Sequence, residues 1–142
     1  MIQLLTIEDT VGLTKDVDYQ IGVRKTYAIS LHEAWNFIFS TEGIKLWLGY
    51  KGVPVWRKGK EYTTKTGTYL CIRVYNELSH ARLTYKRKDW ENTSTLQMRV
   101  IATKTGTTIS IHQEKLADAA QREEMRLHWE KVLAKIASEL KA

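Results

Sequence analysis

The sequence contains little cysteine and little proline, and it lacks a long apolar run. Its 142 residues include one cysteine, Cys71, which excludes an internal disulfide framework and a cysteine-rich zinc site. Cys71 lies in an apolar alternating stretch, and this position predicts a buried, unreactive thiol. No apolar run reaches the roughly eighteen residues needed to span a bilayer, so we predict no membrane insertion.

The amino terminus also lacks the pattern of a secretion signal. It has no basic start, and it turns acidic at Glu8 and Asp9 before an apolar core could form. We therefore expect a cytoplasmic protein. With one proline, Pro54, and no Pro/Ser-rich linker or repeat, residues 19–142 are predicted to form a single domain. Residues 1–18 are predicted to be a leader that packs on this domain or stays loose.

Acidic residues are fewer than basic ones, and the formal net charge is +6. Such an excess favours an acidic partner, whether nucleic acid, anionic lipid or a carboxylate. The basic residues are scattered, however, and the densest groups, 57–60 and 86–88, stand beside turn signals as in solvated loops. None of the standard nucleic-acid-binding modules is present, so we predict no nucleic-acid partner.

Periodicity predicts one strand and then two short helices. Alternation from Tyr19 indicates the strand, and Ser30 with Glu33 forms a capping box that starts a helix. A second start signal at Thr41-Glu42 and a stop at Gly49 predict another short helix directly after it.

From about residue 50 to residue 116 the apolar period changes to two. Short runs alternate with brief polar turns, which is typical of antiparallel hairpins rather than crossover units. We predict a meander whose apolar faces carry Leu70, Ile72 and Val74; Leu83, Tyr85 and Arg87; Leu96, Met98 and Val100; and Ile109, Ile111 and Gln113.

The last element is a long helix with one apolar stripe. Asp118 can cap it, with Gln121 at the third helical position, and helix-favouring residues continue to Leu140. At about 22 residues it measures about 33 Å, enough to cross a small domain. Because such a stripe has to be buried against a large apolar surface, we predict an α+β helix-grip fold. In this fold a curved antiparallel sheet wraps around the C-terminal helix.

Several segments carry a resemblance to a known family. They are Val23-Arg24-Lys25-Thr26-Tyr27, Ser30-x-x-x-Ala34-Trp35, Gly43-x-x-x-Trp47-Leu48-Gly49, the run 80–85 into Asp89-Trp90, the run 107–114, and His128-Trp129. The chain resembles the bacterial branch of the family named for activators of the heat-shock-protein-ninety ATPase. That family lies within the superfamily of START lipid-transfer domains, polyketide cyclases and the birch pollen allergen.

The resemblance implies a cavity between the sheet and the long helix, open at one end. Aromatic side chains suit an apolar ligand bearing one or two polar groups, and arginine, glutamine or histidine could anchor those groups. The candidate ligand-binding residues are Trp47, Tyr69, Tyr85, Arg87, Trp90, Met98, Gln113, Met125, His128 and Trp129.

Each of these residues also has a structural interpretation. Trp47 and Trp129, with Trp35, can join the helices to the sheet, and methionines fill ordinary core gaps. Arg87 can be a solvated strand-end arginine, and Gln113 can hydrogen-bond a tryptophan as well as a ligand. His128 can be a partly exposed helix histidine or a base in the cavity.

Three functions remain open. The first is binding of a small, largely apolar molecule that is lipid-like, aromatic or polyketide-like. The second is a cyclase or hydrolase using the same cavity, for which His128, Arg87 and Tyr85 are the first residues to test. The third is a protein-interaction module, with a chaperone as one partner, although the eukaryotic co-chaperone carries a further domain ahead of this one. We predict no cofactor and no metal site, and either a monomer or a homodimer.

Overall fold

The computed structural model describes residues 19–50, 52 and 55–141. The leader predicted at residues 1–18 lies outside the described residues. The elements in chain order are β1 (Tyr19–Tyr27), α1 (Leu31–Ile38), α2 (Thr41–Trp47), β2 (Glu61–Thr63), β3 (Tyr69–Asn76), β4 (His80–Lys86), β5 (Ser94–Ala102), β6 (Thr107–Leu116) and α3 (Ala119–Leu140).

The strands form one six-stranded sheet in the order β1-β6-β5-β4-β3-β2, and every neighbouring pair is antiparallel. Helix α3 packs on the inner face, where it contacts β1 and β6. The Tyr27 hydroxyl joins strand to helix by donating to the Leu133 carbonyl oxygen at 2.8 Å. The predicted helix-grip fold is therefore confirmed, with a curved sheet wrapped around the C-terminal helix.

Local capping explains where the two short helices begin. Ser30 Oγ accepts from the Glu33 amide at 3.1 Å, and the Glu33 carboxylate accepts from the Ser30 amide at 3.0 Å, so the predicted capping box is confirmed. The second helix begins at Thr41, where the start signal was predicted. Its N-cap is the preceding residue, Ser40, whose hydroxyl accepts from the Gly43 amide at 3.1 Å.

A β-bulge in β3 changes which residues face the core. Leu70 and Ile72 point inward as predicted, but the register shifts between Ile72 and Val74. Tyr75 consequently pairs with Ala81 on the buried face, while Val74 pairs with Arg82 on the outer face. The prediction that Val74 shares the apolar face was wrong, since a bulge inserts one residue and reverses the alternation after it.

Cys71 is a second correction in the same strand. It is only partly buried. The residue alternates with Leu70 and Ile72, which fill the inner face, so its thiol belongs to the outer face of the sheet. The prediction of a buried thiol was wrong because an apolar run does not reveal which of its alternate residues face the core.

Gly43 lies where α2 meets the end of α1, and it allows a testable prediction. A Cβ atom at this position would overlap the Phe37 carbonyl oxygen and lie 2.9 Å from the Ile38 carbonyl oxygen. Alanine normally stabilises a helix interior relative to glycine by about 1 kcal/mol. Because both obstructing atoms are backbone, we expect Gly43→Ala instead to lower the free energy of unfolding by about 1–3 kcal/mol.

Urea unfolding of Gly43→Ala and of Gly22→Ala checks this prediction. Gly22 is a matched control, since a Cβ there would meet its nearest atom, in the His112 ring, at 3.8 Å. We expect the control to be neutral or slightly stabilising. A stabilising effect at both positions would contradict a close approach of α2 to α1.

Candidate ligand-binding site

A pocket of about 710 Å³ opens at one end of the grip. Its walls come from four places that are distant in the sequence: the end of α2, the turn between β2 and β3, the end of β4 with the turn after it, and the first half of α3. This volume lies in the range of small-molecule sites, which is roughly 300–1,000 Å³. The end of the grip therefore has space for a ligand.

Five of the residues predicted from the sequence line this pocket. Trp47 closes the α2 side, and Tyr85 and Trp90 form an aromatic wall with their ring centroids 5.9 Å apart. Arg87 and His128 add polar groups to the same pocket. Charged side chains of both signs, among them Lys45, Lys88, Asp89, Asp118 and Glu124, line it as well, so the pocket combines an aromatic wall with a largely polar rim.

Arg87 is held in place by two hydrogen bonds. Its Nε donates to the Tyr85 hydroxyl at 3.0 Å, and its Nη1 donates to Glu124 on α3 at 2.6 Å. The side chain is only 28% exposed, so it does not extend freely into solvent like a strand-end arginine. Burial raises the pKa of Tyr85, and the neighbouring guanidinium partly offsets that effect. Tyr85 is therefore a neutral hydroxyl at physiological pH.

His128 is held by the backbone of α2. Its Nε2 lies 3.0 Å from the Trp47 carbonyl oxygen. Because a carbonyl only accepts, Nε2 carries the proton, and in the neutral ring Nδ1 is then the acceptor. Burial, and secondly the positive charge of Arg87, lower the pKa of His128 to about 4. The imidazole is therefore neutral at pH 7.

Four other predicted residues form the buried core beside this pocket. Met98, Gln113, Met125 and Trp129 are almost completely buried. Trp129 Nε1 donates to Gln113 Oε1 at 2.8 Å, and Gln113 Nε2 donates to the Ser94 hydroxyl at 2.9 Å. Of the two partners considered for Gln113, the structure therefore provides the tryptophan.

Tyr69 lies apart from all of these residues. It alternates with the inward-facing Leu70, and its hydroxyl donates to the Glu61 carboxylate at 2.8 Å on the outer side of the sheet. This hydrogen bond raises the pKa of Tyr69 to about 12. The structure does not bring Tyr69 together with the pocket.

Sequence reasoning assigned only five of the lining residues to the site, and Glu124 and Gln121 are two of those it missed. Glu124 forms the ion pair with Arg87, and Gln121 exchanges hydrogen bonds with Asn92 at 3.0 Å. Gln121, Glu124 and His128 follow the i, i+3, i+7 spacing of one helix face, so the face itself could have been recognised. The pairing of Glu124 with Arg87 could not have been recognised, because 37 residues of sequence separate the two side chains.

The described ranges contain no group of three His, Cys, Asp or Glu side chains placed to share a metal ion. Within the same ranges, no helix is long and apolar enough to cross a membrane.

Comparison with known proteins places this architecture in a family. The sequence model of the activator of Hsp90 ATPase homolog 1-like protein family matches residues 28–141. The chain belongs to that family. The resemblance read from the sequence segments is therefore confirmed, and it covers both short helices, five strands and α3.

Solved structures with the same fold are distant in sequence. CalU16 from Micromonospora echinospora superposes with a TM-score of 0.73 at 15% identity, covering 84% of this chain and 74% of that one. PFC0360w, an HSP90 activator from Plasmodium falciparum, and MLL2253 from Mesorhizobium loti each give a TM-score of 0.74 at 14% identity. Each of these two superpositions covers 86% of this chain and 96% of the other protein's chain. At these identities the likeness shows the fold alone. A search of the curated proteins finds no significant match.

Proposed function

We propose that this family member binds a small, largely apolar molecule carrying one polar or acidic group. The observation that carries the proposal is the pocket of about 710 Å³ with aromatic walls and a fixed guanidinium. Trp47 and Trp90 would contact the apolar body of the ligand, and Arg87 would bind its polar group. The cytoplasmic location predicted from the sequence is part of this proposal and stays a prediction.

Arg87 retains capacity for a ligand. A guanidinium has five N–H donors, and the Tyr85 and Glu124 contacts use one at Nε and one at Nη1. Within the described part of the chain, Nη2 makes no hydrogen bond to protein. Because the two bonds already hold the side chain, a carboxylate or sulfonate arriving at Nη2 would meet a preorganised donor, although Glu124 compensates part of its charge.

The enzyme alternative is less well supported by the same pocket. A cyclase or hydrolase would use His128 as a base through Nδ1. General bases work best when their pKa lies near the operating pH, whereas the pKa of His128 is lowered to about 4. The imidazole is better suited to accept a hydrogen bond from a ligand than to remove its proton.

The chaperone alternative rests on the name of the family and on one solved structure. The HSP90 activator from Plasmodium falciparum shares this fold at 14% identity. Fold is shared by proteins of different function within such superfamilies, so this likeness alone does not assign a chaperone partner.

Binding of 8-anilinonaphthalene-1-sulfonate tests the proposal, because this probe has an aromatic body and one sulfonate. We expect its fluorescence to rise on binding to the native protein. Arg87→Gln should weaken the affinity by about tenfold or more, since a hydrogen bond to a charged group contributes about 1.5–3 kcal/mol. Arg99→Gln is the matched control, because it removes an arginine from the opposite face of the sheet.

Equal affinity for the native protein and Arg87→Gln would show that the probe binds elsewhere, and the proposal would fail. Native mass spectrometry of gently purified protein gives an independent measurement. A stoichiometric adduct that is retained by Arg99→Gln and lost from Arg87→Gln would support the pocket and reveal the mass of its ligand.

A further inference from the structure

A second concave site lies on the outer face of the sheet, on the side away from α3. It is a groove of about 500 Å³ across β3, β4 and β5. Its lining includes the four basic residues Lys58, Arg73, Arg82 and Lys115, with the hydroxyl-bearing Thr84 and Thr95 between them. No carboxylate lines this groove in the described ranges, so its charge is uniformly positive.

Arg82 is oriented without losing its charge. Its Nη2 donates at 2.8 Å to Gln97 Oε1, the side chain directly across on β5. An amide oxygen positions the guanidinium but leaves the positive charge uncompensated, whereas a carboxylate would neutralise it. Burial, and then the charges of Arg99 and Arg82, lower the pKa of His80 on the same face. His80, Arg82 and Arg99 therefore lie close enough on β4 and β5 for their charges to interact.

Two further cations lie at irregular positions of the backbone beside the groove. Arg73 stands at the β-bulge between Ile72 and Val74, and it faces outward because it alternates with the inward-facing Ile72. Lys115 is a non-glycine residue with φ of +66°, held there by a hydrogen bond from Asn92 Nδ2 to its carbonyl oxygen at 3.0 Å. Left-handed backbone at such a residue costs energy and occurs where the surrounding structure imposes it.

Lys58 reaches the groove through an extension of the β2–β3 ladder. The Gly59 amide donates to the Ile72 carbonyl oxygen at 2.7 Å, and the Ile72 amide donates to the Lys60 carbonyl oxygen at 2.9 Å. Gly59 has φ of +92°, which a glycine adopts without strain. This turn places Lys58 beside the bulge that carries Arg73.

We propose that this outer-face groove binds an acidic segment of a partner protein. Charge complementarity carries the inference. Its four cations have no carboxylate within salt-bridge distance in the described chain. They come from four places in the fold, the turn before β2, strand β3, strand β4 and the end of β6, so they are distributed across the sheet rather than on one element. An extended acidic segment would present carboxylates to such a row, because its alternate side chains repeat about every 7 Å.

The lining favours a peptide over single-stranded nucleic acid. Proteins that bind single strands stack bases on aromatic side chains, and none of the described residues that line this groove is aromatic. Threonine hydroxyls and guanidinium groups donate hydrogen bonds to carboxylates, and this binding requires no aromatic stacking. The groove and the aromatic pocket at the end of the grip have no residue in common. The groove can therefore be tested independently of the proposed small-molecule site.

Fluorescence anisotropy of a labelled oligoglutamate peptide tests the proposal on the full chain at low and at moderate salt. We expect binding that weakens with salt. The double variant Arg73→Gln/Arg82→Gln should weaken it by about tenfold. The matched control is Lys131→Gln/Lys135→Gln, which removes the same charge from two exposed positions on α3. This control should change the affinity by less than about twofold.

The proposal would be overturned if the peptide did not bind at low salt, or if both double variants weakened its binding equally. It would also be overturned if an oligothymidine bound more tightly than the peptide and lost the same affinity in Arg73→Gln/Arg82→Gln. Competition by inorganic phosphate at millimolar concentration that fully displaces the peptide would also reject it, since it would indicate a site for single anions. The double variant should leave binding of the anilinonaphthalene probe unchanged. A negative result in the peptide assay is thus distinguishable from a negative result for the small-molecule pocket.

Discussion

Trp129→Ala is expected to lower the free energy of unfolding by about 3–5 kcal/mol. Trp129 is 0% exposed and lies at the centre of the helix–sheet contact, where its ring packs 6.1 Å from that of Trp47. Its truncation leaves a cavity and also removes the donor for Gln113 Oε1, which then stays buried without its partner. Urea unfolding followed by circular dichroism measures the loss.

Leu127→Ala is the control for this prediction. Leu127 lies two residues away on the same helix but is 54% exposed, so its truncation should change the free energy of unfolding by less than about 0.5 kcal/mol. Trp129→Phe separates the two contributions, because it keeps most of the apolar volume and removes only the N–H donor. A loss below about 1.5 kcal/mol for Trp129→Ala would contradict its place in a closely packed core.

The second large effect is a loss of stability in acid caused by His128. Burial and the charge of Arg87 lower its folded-state pKa to about 4, against an ordinary value of 6.5. Between these two values the unfolded chain binds more protons than the folded chain, so stability rises with pH and falls as pH decreases from 6.5 to 4. The difference corresponds to about 3 kcal/mol.

His128→Gln should make the stability less dependent on pH across this range, because glutamine does not titrate and still offers an N–H to the Trp47 carbonyl oxygen. His32→Gln is the control, since it removes an exposed histidine of α1 that does not line the pocket. Denaturant midpoints measured from pH 4 to 6.5 provide the comparison. An unchanged pH dependence in His128→Gln would show that other groups cause the acid sensitivity.

Strand alternation and aromatic character in the sequence predicted part of the candidate site. Tyr85, Arg87 and Trp90 were selected from strand alternation and aromatic character, and all three line the pocket. Tyr69 was selected by the same reasoning and lies on the outer face, hydrogen-bonded to Glu61. Aromatic character alone does not distinguish the two faces of a strand, since an aromatic residue on either face can find a partner.

The sequence by itself determined the elements and the order in which they occur. The Ser30 capping box, the Asp118 cap and the apolar stripe of α3 depend on neighbours within a few residues, so their physical causes are visible in the sequence. The long apolar stripe also required a large partner surface, and the meander was the available one. This requirement is why the helix-grip architecture could be predicted.

Only the tertiary structure decided which side chains meet. No local period predicts the bulge that turns Tyr75 inward. None relates Arg87 to Glu124 in their ion pair, or His128 to Trp47 in their contact. Such contacts depend on strand register and on the packing of α3 against the sheet. These are set by the summed burial of the whole core and not by any short segment.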